Sequence, residues 1–186
     1  MHATGSSGHF PHLDTGSRLQ MRFVSPEGRG EVVWVEEQKP GEYRILNVPV
    51  WIYGISVGTL VHGHASPRGL LEPSDVKTPS PGATVRLVVP RGAQASDVYL
   101  QRIVPDARKM GIGIGPATFF DPRLVAIHVH FRDRLWPDFA SYLADLVEEG
   151  LLQEWEVGDP SEDQASAQVR REAPVGDDLV HPLPVP

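Results

Sequence analysis

The stretch YRILNVPVWIYGISVGTLV, residues 43–61, is the longest apolar-rich run of the chain and decides how its first half folds. Its β-branched and aromatic residues are typical of strands. Pro49 cannot donate to a strand ladder and favours an extended conformation at Val48, so we predict a strand, a kink at residues 47–49 and a second extended piece up to Ile52. Gly54 and Gly58 tolerate the positive φ of tight turns. The stretch therefore predicts a small, strongly bent β-unit.

Two shorter strand patterns precede this stretch, and another follows its last turn. Residues 18–26, RLQMRFVSP, alternate apolar and polar side chains, as expected of a half-buried strand. Residues 31–37, EVVWVEE, predict a second strand, and residues 59–64 another. Several short strands within residues 18–64 are expected to curl into a small barrel-like unit, because closure removes exposed strand edges.

The second half of the chain combines strands with helices. Residues 65–82 are rich in Pro, Ser and Gly and are predicted to be a linker loop. The elements predicted after it are a strand at 84–89, a helix at 96–110, strands at 112–120 and 124–131, a helix at 136–149 and a strand at 153–157. The order β-α-β-β-α-β over residues 83–158 predicts a ferredoxin-like unit, in which both helices cover one face of an antiparallel sheet. The fold class is therefore α+β.

The two ends of the chain lack any periodic pattern. Residues 1–17 are rich in Gly, Ser and His and are predicted to be a disordered leader, while residues 159–186 are acidic and proline-rich and are predicted to be a disordered tail. The alternative for the final LVHPLPVP, residues 179–186, is a short docking peptide.

Composition excludes several classes of function. The 186 residues include no cysteine, which rules out disulfides, thiolate metal sites and a cysteine nucleophile. A formal charge of −7 argues against a nucleic-acid partner. The sequence pattern predicts no signal peptide, and it lacks the ~20 continuous apolar residues of a membrane span. We expect a cytoplasmic protein with no membrane partner.

Specific residues in the first third of the chain resemble a known family. They are Trp34, then Gly41-x-Tyr43-x-x-x-Asn47-x-Pro49, then Gly54-x-Ser56-x-Gly58. The order is similar to that of the bacterial family called domain of unknown function 4265, which has a tryptophan, a G-x-Y turn, an N-x-P and then G-[VI]-[SA]-x-G-D. The likeness covers Met21 to about Gly158, and Thr59 stands where the family usually has its acidic residue. The resemblance implies a fold and a bacterial source, and it implies no activity. The family pattern also allows one short strand near Leu70 and Leu71.

Two H-x-H pairs are the candidates for chemistry, since residues two apart on a strand point to the same face. His128 and His130 lie in the clearest strand of the second half, opposite its apolar side chains. Two imidazoles suit Zn, Ni or Cu if a third ligand is added. The available third ligands are Asp133, Asp121 and Glu72. The alternative is that His128 and His130 are satisfied or solvated histidines without a metal.

A second set of residues is predicted to contact a ligand or partner. Its members are Asn47, Trp51, Tyr53, His62 and His64. Gly63, between the two histidines, indicates a turn or bulge rather than a metal site. Four aromatic residues are predicted to lie in the core or at the seam between the halves: Trp34, Trp51, Tyr53 and Trp155. If Trp51 and Tyr53 prove exposed together, they are the anchors for a partner.

Two glycine motifs match known signatures only in spelling. GIGIG, residues 111–115, follows a helix and enters a strand, whereas phosphate-binding loops follow a strand and open a helix. GISVG, residues 54–58, spells the G-x-S-x-G of hydrolases, but a strand rather than a helix follows Ser56. We therefore expect no serine nucleophile and no cofactor.

These observations favour a non-catalytic binding or regulatory module that acts on a protein or small-molecule partner, such as an inhibitor or immunity-type protein. The alternative is a small enzyme that uses His128 and His130, with or without a metal, in a cleft between the two halves. Binding of single-stranded nucleic acid through Phe131 and Arg132 has the least support. The sequence predicts no oligomeric state.

Overall fold

The computed structural model describes residues 18–25, 28–67, 69–130 and 135–158. The predictions made for the leader (1–17), the tail (159–186) and Phe131 to Asp133 concern residues outside these ranges and stay predictions. The described residues form an α+β protein with two separate sheets, as the sequence predicts.

The first sheet is a closed barrel in which each strand pairs with the next along the chain. Its strands are β1 (Arg18–Val24), β2 (Gly30–Lys39), β3 (Glu42–Ile45), β4 (Leu60–Ala65) and β5 (Leu71–Thr78). Neighbours are antiparallel, except that β5 meets β1 in parallel where Met21 lies opposite Leu71. The prediction of a barrel-like first half is therefore confirmed.

The core of the barrel is formed by inward side chains that alternate along its strands. It consists of Met21, Phe23, Val33, Val35, Tyr43, Ile45, Ile52, Ile55 and Val61. Burying one such apolar side chain contributes about 1.5–3 kcal/mol. The barrel therefore has a core of its own, to which residues between β3 and β4 also contribute.

The linker loop predicted at residues 65–82 is wrong for its middle part, which is β5. The sequence LEPSDVKT shows no apolar alternation, and most of its side chains are exposed. The strand is defined by backbone pairing with β4, and Pro73 lies opposite Gly63 next to a shift of register. Because these residues bury little apolar surface, side-chain pattern did not reveal the strand.

The second sheet has the spatial order β7-β8-β6-β9, and all its neighbouring strands are antiparallel. Its strands are β6 (Gly82–Val88), β7 (Gly113–Phe119), β8 (Leu124–His130) and β9 (Glu154–Val157). Helical residues connect β6 to β7, and helix α3 (Trp136–Glu148) connects β8 to β9. Val85 and Ile127 of the sheet share a buried apolar cluster with Phe139 of α3. The opposite face of the sheet is turned toward the barrel half.

The helix predicted at residues 96–110 has three consecutive parts. They are α1 (Ala95–Val98), a π-helical turn (Tyr99–Ile103) and α2 (Val104–Lys109). Pro105 has no N–H to donate to the preceding turn, and the π-helical turn ends two residues before it. The helix ends at Lys109, and Gly111 follows it with a φ of 77°, which favours glycine. None of the described helices has the length and apolar character that a bilayer crossing requires.

Residues 46–59, between β3 and β4, form what we call the central segment, and they contain no strand. The extended piece predicted up to Ile52 is wrong in that it joins neither sheet. The segment supplies Val48 and Val50 to an apolar cluster with Leu124 and Ala126 of β8, and Ile52 and Ile55 to the barrel core. It therefore lies between the two sheets and contacts both.

Candidate functional site

The backbone of the central segment is held by side chains rather than by a strand ladder. The carboxylate of Glu31, near the start of β2, accepts hydrogen bonds from the N–H groups of Val50 and Trp51, each at 2.8 Å. From the other sheet, Oγ1 of Thr118 donates to the carbonyl of Val48 at 3.0 Å. Buried backbone groups need hydrogen-bond partners, and here each sheet provides some of them.

Arg86 of β6 binds the central segment from the second sheet. It is 3 % exposed, and its Nε and Nη2 donate to the carbonyls of Val50 and Ile52, the latter at 2.8 Å. Its Nη1 lies 3.4 Å from Oε1 of Glu156, and its guanidinium lies 4.2 Å from the centre of the Tyr53 ring. A buried guanidinium requires such partners for its donors. Arg86 thus fastens the segment to the sheet.

Tyr53 covers this arrangement on the outside. Its hydroxyl donates to Oε1 of Glu156 at 2.6 Å while its ring lies over the guanidinium of Arg86. Beside it, the N–H of Gly54 donates to the carbonyl of Gly158 at 2.9 Å. A Cβ at position 158 would come within 2.4 Å of Nη1 of Arg86, so glycine leaves the room that the guanidinium needs. Tyr53, a predicted partner contact, therefore has an internal structural role.

A second polar group at the junction joins three buried side chains. Oγ1 of Thr84 donates to Oγ of Ser56 at 3.0 Å, and Oγ of Ser56 lies 2.8 Å from Nδ1 of His128. The tautomer of His128 decides whether Nδ1 accepts from the Ser56 hydroxyl or donates to it. The Ser56 N–H donates to Oγ1 of Thr59 at 3.0 Å. A threonine at position 59 can thus hold this turn without a carboxylate.

The surroundings of His128 keep its imidazole neutral. The residue is 1 % exposed, and its ring packs edge-on against His130 with 4.4 Å between ring centroids. Burial, with a smaller effect from the charge of His130, lowers the pKa of His128 to about 4. A Cβ at Gly82 or Gly115 would lie 2.6 or 2.9 Å from an atom of the His128 ring, so two glycines make room for it.

The Ser56–His128 pair has the composition of a nucleophile and its base, but its surroundings do not suit that role. A nucleophile must touch its substrate, and both side chains are enclosed by protein. The central segment also covers His128 where the enzyme alternative requires a cleft. Within the described part of the chain, no three His, Asp or Glu side chains are close enough to hold a metal ion.

Asn47 and Trp51, both predicted partner contacts, have internal partners on the central segment. Oδ1 of Asn47 accepts a hydrogen bond from the Trp34 N–H at 2.6 Å. The Trp51 ring packs edge-on against Phe120, with centroids 5.0 Å apart, and Arg29 lies 5.8 Å from its centre. Trp51 therefore lies at the seam between the halves, which agrees with the prediction that it is a core or seam residue.

His62 and His64 lie on β4, in a different sheet from His128 and His130. Nδ1 of His62 is 3.0 Å from Oδ2 of Asp75, and its Nε2 is 3.9 Å from a carboxylate oxygen of Glu42. His64 is exposed on the same strand. The structure therefore does not bring the two histidine pairs together.

The outer wall of the barrel carries a surface that we did not predict. Three outward residues are largely exposed, Val24 to 57 %, Val32 to 44 % and Trp34 to 46 %. The prediction that Trp34 lies in the core or at the seam is therefore wrong. The run Val32 to Val35 is apolar throughout, so alternation could not show which side chains point outward. Arg18 and Arg22 lie next to these residues, since Gln20 is opposite Trp34 and Arg22 opposite Val32. We call Arg18, Arg22, Val24, Val32 and Trp34 the Trp34 face.

Two shallow grooves flank the Met21–Leu71 pair that closes the barrel. The first groove, of about 420 Å³, is lined by residues 18–20, Trp34 and residues 69–71. The second groove, of about 270 Å³, is lined mainly by Phe23, residues 52–55 and residues 73–76. Both grooves are wide open to solvent, unlike the enclosed pockets that bury small ligands. Neither groove is lined by Ser56, His128 or His130.

Together these features define a two-sheet α+β protein whose barrel and helix-covered sheet are joined by a segment held with buried side chains. A family model described as Domain of unknown function (DUF4265) matches residues 31–154, and the chain belongs to this family. The family resemblance seen in the sequence is thereby confirmed.

Comparison with solved structures gives a likeness of fold. A structure titled as a hypothetical protein from Neisseria gonorrhoeae matches with a TM-score of 0.57 and 13 % identity, over 80 % of this chain and 97 % of that one. No curated protein matches the chain.

Proposed function

We propose that this chain is a non-catalytic binding module, of inhibitor or immunity type, that acts on a protein partner through the Trp34 face. The observation that carries the proposal is the exposure of Trp34, Val32 and Val24 on one wall of the barrel. Tryptophan and arginine are the residues that most often dominate the energy of protein interfaces. A wall that combines them suits a macromolecular partner.

The charges of this wall support the same assignment. Within the described residues, neither Arg18 nor Arg22 has a carboxylate oxygen within 4.0 Å. The chain carries a formal charge of −7, so these two arginines form a local cationic area on an acidic protein. Such local charge favours one orientation of an incoming partner.

The enzyme alternative has less support from the geometry. Ser56 and His128 use their polar atoms on each other and are enclosed by the central segment. Trp34, Val32 and Val24 are exposed on the barrel wall instead. Shallow grooves beside that wall favour a protein over a small molecule.

We also propose the ferredoxin-like arrangement for the second half. The strand order β7-β8-β6-β9, the antiparallel pairing and the helices between β6 and β7 and between β8 and β9 support this assignment. In this arrangement the helix-free face of the sheet is available to hold the central segment.

Capture from a host extract with three forms of the full chain tests the proposed function. We expect wild type to retain one stoichiometric protein, and a Trp34→Ser variant to lose it. Leu100→Ser is the matched control, because Leu100 is also highly exposed but lies in the π-helical turn of the second half. Recovery of the same protein by both variants, or of no stoichiometric protein by wild type, would contradict the proposal. Urea unfolding of each variant confirms that it is folded.

A further inference from the structure

The barrel closes at a single pair of residues. β1 pairs with β2 along its whole length, from Arg18 opposite Glu36 to Val24 opposite Gly30. On its other side, β1 pairs with β5 only at Met21, opposite Leu71. Within the described residues, positions 18–20 of β1 therefore have no strand beside them on that side. Free strand edges of this kind bind extended segments through backbone hydrogen bonds.

The first groove runs along this free edge. It lies between residues 18–20 of β1 and residues 69–71, and Trp34 contributes to its lining. An extended chain advances by about 3.3 Å per residue, so a segment of only a few residues matches the three β1 positions that line the groove. The large exposed ring of Trp34 then provides an apolar contact beside the added strand.

The charges that face this groove select the chemistry of the segment. Arg18 lines the groove. Arg22 lies outside the groove on the same outward face of β1, and its guanidinium lies beside Gly30 of β2. Glu36 of β2 lies opposite Arg18, and its carboxylate accepts a hydrogen bond from Gln38 at 2.8 Å. Arg18 and Arg22 form no ion pair within the described residues. Both guanidinium groups can therefore donate charge-assisted hydrogen bonds to carboxylates of a partner.

We infer that the partner engages the Trp34 face as an extended segment of alternating acidic and apolar residues, added as a strand along the free edge of β1. Alternation follows from strand geometry, since successive side chains point to opposite faces. One set meets Arg18 and Arg22, and the other set meets Leu19 and Leu71 in the groove. The inference rests on the proposed function and specifies the chemistry and the binding mode of its partner.

Titration of the full chain, labelled with ¹⁵N, by a peptide of alternating glutamate and valine tests the inference. We expect saturable shifts of the backbone amide signals of residues 18–20 and 69–71. An Arg18→Gln, Arg22→Gln double variant should bind about ten-fold more weakly, because two charge-assisted contacts are lost. The matched control is Arg102→Gln, Arg108→Gln on the helices, which should bind as wild type does.

Two further probes decide between occupants. A peptide of alternating lysine and valine should produce no saturable shifts at these residues, and equal binding of both peptides would overturn the inference. Tighter binding of oligo(dT) at the same residues would overturn it in favour of a nucleic acid. If the glutamate peptide does not bind while capture still depends on Trp34, only the inference fails. If capture does not depend on Trp34, the proposed function fails.

Discussion

At the scale of single residues, Arg86 shows how a charge can be buried at the centre of this protein. It stands in the strand sequence TVRLVV, where strand alternation places it on the face opposite Val85 and Leu87. That face would be open to water in an isolated sheet. Here the carbonyls of Val50 and Ile52, together with Glu156 and Tyr53, take the place of water around the guanidinium. The contacts stabilise the folded chain because the same carbonyls would otherwise be buried without donors.

Replacing Arg86 by Met is expected to lower the free energy of unfolding by about 3 kcal/mol, since it leaves two buried carbonyls without donors. Urea unfolding measures the change. Arg102→Met is the control, because the ion pairs of Arg102 with Asp106 and Glu149 are exposed and such pairs contribute about 0–1 kcal/mol. Equal losses for the two variants would contradict the structural role of Arg86.

The buried imidazole of His128 makes stability depend on pH. Its pKa is near 6.5 in the unfolded chain and about 4 in the folded protein. Between these values the unfolded chain binds a proton that the folded protein does not, so the free energy of unfolding falls as pH falls from about 6.5 to 4. The contribution, about 3 kcal/mol, is fully present above pH 6.5.

A His128→Asn variant is expected to lose this part of the pH dependence, as measured by urea unfolding at a series of pH values between 4 and 7. The amide keeps a polar partner for Ser56 while it cannot take up a proton. His64→Asn serves as the control, because His64 is exposed on β4 and should leave the slope unchanged. A His128→Asn slope equal to that of wild type would show that His128 does not supply the effect.

At the scale of elements, the central segment is ordered without belonging to a sheet. Two N–H groups bind Glu31, and carbonyls bind Arg86 and Thr118. The segment contains Pro49, which cannot take part in a ladder as a donor. Side chains from both sheets therefore replace the pairing that a neighbouring strand would provide.

A Glu31→Gln variant should exchange the backbone hydrogens of Val50 and Trp51 faster than wild type, because one of the two carboxylate acceptors becomes an N–H₂ donor. The free energy of unfolding should fall by about 1–3 kcal/mol. Hydrogen–deuterium exchange read by mass spectrometry over residues 46–59 measures the first effect. Glu36→Gln, on the outward face of the same strand, is the control, and equal protection in both variants would rule out this role of Glu31.

At the scale of the whole molecule, the two sheets are joined into one packed body. The central segment is covalently part of the barrel half, and its apolar residues pack on Leu124 and Ala126 of β8. Arg86, Thr84 and His128 add polar contacts to the same junction. Loss of either sheet would expose all these groups, so we expect the halves to depend on each other.

Urea unfolding should therefore show one transition, with the same midpoint for tryptophan fluorescence and far-ultraviolet circular dichroism. Ala126→Asp, which buries a carboxylate at the junction, should move the midpoint of both signals together. Asp145→Ala, on the exposed side of α3, is the control and should leave the midpoint nearly unchanged. Two separate transitions in wild type would show that the halves fold independently.

The local pattern of apolar and polar residues was sufficient to predict most of the strands and helices. The alternation in β1, the β-branched run of β8 and the amphipathic α3 each identify an element, because burial on one face leaves a period in the sequence. The motifs around Gly41, Asn47 and Gly54 also pointed to the family that the match confirms. The pattern did not predict β5, because most of its side chains are exposed, and it did not predict the exposure of Trp34, because the run that contains it is apolar throughout.

Only the tertiary structure decided what the buried polar residues do. Ser56 and His128 are 72 positions apart, and Arg86 is 36 positions from the Val50 carbonyl that it binds. No local period encodes such a distance, because these contacts arise from the packing of one sheet on a segment of the other half. The same packing enclosed Ser56 and His128 and gave Asn47, Trp51 and Tyr53 internal partners, while it left the Trp34 face exposed.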